Sequence, residues 1–174
     1  MIQTISASDE EITVWPIKRI SPQLMYKLCR CIDRPAIDLE DPACELATML
    51  KENHLHPDCS VYVYGYCSET LLAYTAQNSE NTYITKKLVD LGAKIERRVK
   101  GLTPLGWAIL RHNTTQVKML LQLGANKNEA NFVTFSSMLD LARKTKEDAL
   151  LNSDAIIKLL EDATDDNGAS KDKF

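Results

Sequence analysis

Two adjacent stretches decide the reading: GLTPLGWAIL (Gly101–Leu110) and QVKMLLQLGAN (Gln116–Asn126). Thr103 followed by Pro104 announces a helix start, because a threonine oxygen can accept from the first free backbone N–H groups and proline suits the first helical position. Val117, Leu120 and Leu121 then recur at helical spacing. Gly124 is the residue that can turn left-handed and end that second helix. The spacing therefore predicts helix, short turn, helix, glycine stop.

Shifted by about one unit, the pattern returns. Thr70-Leu-Leu-Ala-Tyr-Thr75 lies 33 positions before Thr103, and Lys87-Leu-Val-Asp-Leu-Gly-Ala93 aligns Gly92 with Gly124 at a spacing of 32. Ser137-Met-Leu-Asp-Leu-Ala142 lies 34 positions after Thr103, and Ile156-Ile-Lys-Leu-Leu160 supplies the next second helix beyond an enlarged turn at 144–153. A fixed period of this size is the signature of a repeat array, in which each unit buries its apolar face only against its neighbours.

Thr103-Pro-Leu-Gly-Trp-Ala108 with Leu120-Leu-Gln-Leu-Gly-Ala125 resembles the ankyrin repeat, whose period is about 33 and whose signature is T-P-L-H-x-A. The resemblance covers residues 101–128 and 68–95 most clearly, extends more thinly over 132–162, and reaches 21–57 as a helix pair without the signature. Gly106 stands where the family has its bracing histidine; Thr70-Leu71 lacks the proline, and Ser137-Met138 lacks both usual residues. The resemblance implies an all-α, ankyrin-like solenoid of about four helix-turn-helix units with short hairpin-like fingers.

The ends follow the same logic. Ser21-Pro22 and Asp41-Pro42 open two helices, with Leu24, Met25 and Leu28 on one stripe and Leu46, Met49 and Leu50 on the other. Residues 1–20 form an extended segment along the first helices, 21–163 the repeat domain, and 164–174 a flexible tail without apolar periodicity. Aligning Asn53 with Gly92 leaves surplus residues before Thr70. They fall in Ser60-Val-Tyr-Val-Tyr-Gly-Tyr-Cys67, whose period-2 alternation predicts an extended segment with Gly65 at a turn or bulge.

Composition excludes several classes. With 174 residues, 44% hydrophobic and 26% charged, the chain is sized and mixed for one folded domain. Lys+Arg 21 against Asp+Glu 24 gives no global excess for nucleic acid. No apolar run is long enough for a membrane span, and Asp9, Glu10 and Glu11 stand where a signal peptide would be basic and then apolar. Five cysteines, an odd number without an export signal, predict reduced thiols in a cytoplasm.

No nucleophile elbow, phosphate loop or dinucleotide fingerprint is present, so no catalytic residue and no cofactor is expected. His54-Leu-His56-Pro-Asp-Cys59, with Cys67, Cys29 and Cys31, holds zinc-type donors at H-x-H and C-x-C spacing rather than paired knuckles. A small zinc-binding or nucleic-acid-binding adaptor is thus the alternative reading. The primary one is a non-catalytic protein-interaction module, monomeric alone.

Charge is polarised along the chain. Ile84–Lys127 carries nine cations against two acids, whereas Asp38–Glu52 and the tail are acidic. Glu96-Arg-Arg-Val-Lys100 falls in the loop between two units, which in ankyrin-like proteins is a projecting finger. Carry-over from the family's variable positions assigns partner binding to Arg97, Arg98 and Lys100, to Leu110 and Arg111, to Gln77 and Asn78, and to Asn131 and Phe132. Tyr62, Tyr64 and Tyr66 join them from their shared face in the first finger, where covering the core is an equal use. The partner expected is a protein with an acidic surface. The acid-rich stretch 161–174 is compositionally similar to secretion tails of bacterial effectors, which would place the protein in a host cytoplasm.

Overall fold

A computed structural model of the chain describes residues 20–33, 42–63, 67–78, 80–128, 137–148 and 153–163. It is mostly helical. Among the described residues the helices are α1 (Pro22–Asp33), α2 (Pro42–Glu52), α3 (Leu71–Asn78), α4 (Thr82–Asp90), α5 (Pro104–Leu110), α6 (Thr114–Gln122), α7 (Met138–Asp148) and α8 (Ser153–Asp162). One antiparallel hairpin, β1 (Ser60–Val63) and β2 (Cys67–Thr70), pairs Ser60 with Thr70 and Val63 with Cys67. The segment 1–19 and the tail from 164 lie outside the described residues.

The same local chemistry opens each odd-numbered helix. The Ser21 hydroxyl accepts from Leu24 N–H at 3.3 Å, Thr70 from Ala73 at 3.1 Å, Thr103 from Gly106 at 3.3 Å and Ser137 from Asp140 at 3.2 Å. Each side chain satisfies a donor that the helix cannot, a contribution of about 1 kcal/mol per cap. Asn81 and Asn113 cap α4 and α6 in the same manner.

The even-numbered helices α2, α4 and α6 also end alike. His54 (φ 51), Gly92 (φ 96) and Gly124 (φ 89) are left-handed. The following N–H of Leu55, Ala93 and Ala125 reaches back to Leu50, Leu88 and Leu120 at 2.9 Å in all three. That closes the orphan carbonyls. The residue equivalent to Gly92 is therefore His54, not Asn53 as the sequence alignment had it. A histidine in a left-handed position carries no glycine signal to read.

Tertiary contacts form two layers. In one, α1 packs on α3, α3 on α5 and α5 on α7; in the other, α2 packs on α4, α4 on α6 and α6 on α8. Within each pair, α1–α2, α3–α4, α5–α6 and α7–α8 close against one another. Between the layers runs one hydrophobic spine, with Leu28, Leu46, Leu72, Leu88, Leu105, Ile109, Leu120 and Ile156 essentially inaccessible. Removing such a leucine or isoleucine side chain costs about 2–5 kcal/mol.

Polar bonds stitch consecutive units. Thr85 on α4 donates to Gln116 on α6 at 2.6 Å, both fully buried, and Tyr74 on α3 donates to Asp33 at the end of α1 at 2.9 Å. The Lys127 ammonium donates to the Leu160 and Ala163 carbonyls at the end of α8. The enlarged turn expected from Lys144 is instead helix through Asp148. Thr145 is buried there and donates to Ala142 O at 3.0 Å.

Candidate protein-binding surface

The 13-residue loop between α4 and α5 is charged and firmly held. Val99 and Leu102 pair across two backbone bonds of 2.9 and 3.1 Å, with Lys100 (φ 52) and Gly101 (φ 82) between them. Positive φ at both central residues defines the type I′ turn that matches strand twist. The finger's roots, Val99 and Leu102, are buried, while Lys100 is exposed at the tip. The Trp107 indole on α5 donates to Val99 O at 3.1 Å and pins the root to the helix behind it.

Two carboxylates tie this loop to both neighbours. Asp58, 6% exposed, accepts from Lys94 N–H at 2.9 Å and sits 3.7 Å from the Arg97 guanidinium. One unit on, Glu96 accepts from Asn126 N–H at 2.7 Å. Asp58 stands four residues after left-handed His54, and Glu96 four after left-handed Gly92. Each acid clips the backbone two residues past the next unit's left-handed position. Sequence reasoning missed this pair, because the left-handed stop at His54 that makes the two offsets equal carries no glycine to mark it.

Arg97, Arg98 and Lys100 are thus exposed cations on a pre-ordered loop, with Arg97 leaning on Asp58 and so partly neutralised. Asn78, Leu110 and Arg111 end α3 and α5, which pack side by side. Leu110 is 39% exposed and Arg111 exposed, while the exposed Asn78 bends its amide to Tyr74 O at 3.0 Å. Leu110 and Arg111 lie at the end of α5 away from the finger's root, which enters the helix at Pro104.

Gln77 does not belong to that surface. It is 9% exposed, and its amide donates to the Glu69 carboxylate at 3.0 Å and to Ala73 O at 3.2 Å, bracing the base of the hairpin against α3. Of the tyrosines, Tyr62 lies in β1 opposite Ser68. Tyr64 and Tyr66, together with Asn131 and Phe132, fall outside the described residues. His112 is left-handed (φ 53) and half-buried, with Nδ1 3.3 Å from the buried Ser153 hydroxyl at the start of α8.

Burial holds the Cys59 and Cys29 thiols toward their protonated form. Burial, with Asp58 adjacent, pushes Cys59 up to about 11, and burial followed by Asp33 raises Cys29. Tyr74 is also raised, by burial and then by its bond to Asp33. Among the described residues no three His, Cys, Asp or Glu side chains converge as a metal-binding group, and no helix is long and apolar enough to cross a membrane.

No family model matches the chain, and no curated protein matches it.

Proposed function

We propose that the protein is a non-catalytic recognition module, an ankyrin-like array that grips an acidic surface of a partner protein through the finger at Arg97–Leu102. The equivalent caps at Ser21, Thr70, Thr103 and Ser137, the matched stops at His54, Gly92 and Gly124, and the layer-by-layer packing support the repeat reading. What carries the binding reading is the finger itself. Exposed cations stand on a turn held by Asp58 on one side and tied through Glu96 to the next unit on the other. A pre-ordered loop loses little entropy on binding, so the charge pairing is not consumed in ordering it. Arginine's planar fork adds bidentate grip on carboxylates.

Affinity capture with the intact protein, followed by mass spectrometry, identifies the partner. The paired substitution Arg98→Glu and Lys100→Glu leaves the Arg97–Asp58 contact in place and reverses the exposed finger charge. Capture lost in that variant, with its thermal unfolding unchanged, supports the reading; capture at wild-type level overturns it.

A further inference from the structure

On the opposite layer, the C-terminal halves of α2 and α4 leave an open groove of about 360 Å³ between them, within the size range of ligand-binding clefts. Ala47, Leu50, Leu55 and Leu91 line it, with Lys51 and Lys87 alongside. We propose that this groove docks a peptide segment of a partner protein in which an apolar side chain is flanked by carboxylates.

Two observations converge on it. Leu91 is 41% exposed beside the cleft, whereas Leu123, its equivalent at the end of α6, is half-buried. Lys51 is exposed and Lys87 half-buried, and among the described residues no carboxylate pairs with either. The cleft combines an apolar floor with two uncompensated cations, the complement of an acidic–apolar segment. Lysines near helix C-termini also complement the helix dipoles. That accounts for the charge but not for an exposed leucine beside an apolar cleft. Anchoring one buried apolar side chain, with charges at the rim setting orientation, is the ordinary economy of a short-peptide site.

The groove lies on the α2/α4 layer and not on the finger, so it extends the proposed function with a second contact, and its failure leaves the finger reading standing. The test uses the full chain and a fluorescein-labelled peptide, Glu-Glu-Leu-Phe-Glu-Glu, read by fluorescence anisotropy. Saturable binding is expected. Lys51→Glu with Lys87→Glu weakens it by about tenfold or more, the equivalent of roughly 1.4 kcal/mol. Leu91→Ser weakens it too, and each variant is checked for an unchanged melting curve. Arg98→Glu with Lys100→Glu leaves peptide binding intact, although that pair abolishes partner capture under the proposed function. A control peptide with serines in place of Leu and Phe binds far more weakly. No saturable binding, equal binding of the control peptide, or indifference to both groove variants overturns the proposal. So does a concentration-dependent rise in sedimenting mass abolished by Leu91→Ser, which would make a second copy of this chain the occupant.

Discussion

Lys100 sits where a lysine is costly. Its φ of 52 places an L side chain in the left-handed region, followed by Gly101 at φ 82. That region costs an ordinary residue roughly 1–2 kcal/mol. The type I′ turn it belongs to strongly favours Asn-Gly, since asparagine tolerates this backbone by bonding locally. Lys100→Asn should therefore stabilise the free protein by about 0.5–1 kcal/mol, part of the left-handed cost, and raise the melting temperature by about 1–4 °C at this chain length. The bonds between Val99 and Leu102 that close the turn are backbone bonds and are kept in the variant. Partner capture should move the other way, because the cation at the tip is gone. Urea unfolding followed by circular dichroism reads the first quantity, and quantitative capture reads the second. A variant no more stable than wild type would refute the turn geometry. A more stable variant with undiminished capture would refute the argument that the lysine is kept at the tip for binding.

Gly92→Ala and Gly124→Ala should each cost about 1–2 kcal/mol in urea unfolding, because both positions are left-handed and a new Cβ meets nothing within 4 Å, leaving backbone strain as the whole effect. Costs differing by more than about 1 kcal/mol would contradict their equivalence, since the same strain acts at both. Alkaline pH should weaken the fold. The half-buried Cys59 thiol keeps its proton to about pH 11 while the unfolded chain loses it near 9.0, so the folded state holds more protons between those values. This contribution is complete below pH 9.0 and is lost as pH climbs toward 11, with Tyr74 extending the fall. Cys59→Ala should flatten that part of a stability-against-pH curve, and an unaltered slope would disprove the assignment.

The capped starts were legible because a free helix N-terminus demands a side-chain oxygen, and Ser21, Thr70, Thr103 and Ser137 supply it at recurring spacing. Gly92 and Gly124 were legible for the matching reason at the other end. The stops at His54 and His112 and the turn at Lys100 were not, since residues that tolerate a left-handed backbone only under tertiary constraint leave no mark in composition. The surplus before Thr70 reads as extended with Gly65 at a turn or bulge; strands form at Ser60–Val63 and Cys67–Thr70, and Gly65 falls outside the described residues. The finger cations could be counted in the sequence, but what orders them could not. Asp58 acts on Lys94 across 36 positions and Glu96 on Asn126 across 30, and a linear reading offers no reason to join them. Gln77 misled for a related reason: its variable position suggested exposure, and only the hairpin brings Glu69 onto its amide.

The central claim is that consecutive helix pairs stack as copies of one unit, each touching the next. Methyl-methyl NOE spectroscopy on Ala-, Ile- and Leu-labelled protein tests it most directly. Ile109 and Ala108 of α5 should show cross-peaks to methyls of both α3 and α7, and Leu120 of α6 to methyls of both α4 and α8, with α3 and α7 silent toward each other. Direct cross-peaks between α3 and α7, or an α5 without contact to one of its two neighbours, would contradict the stacked arrangement.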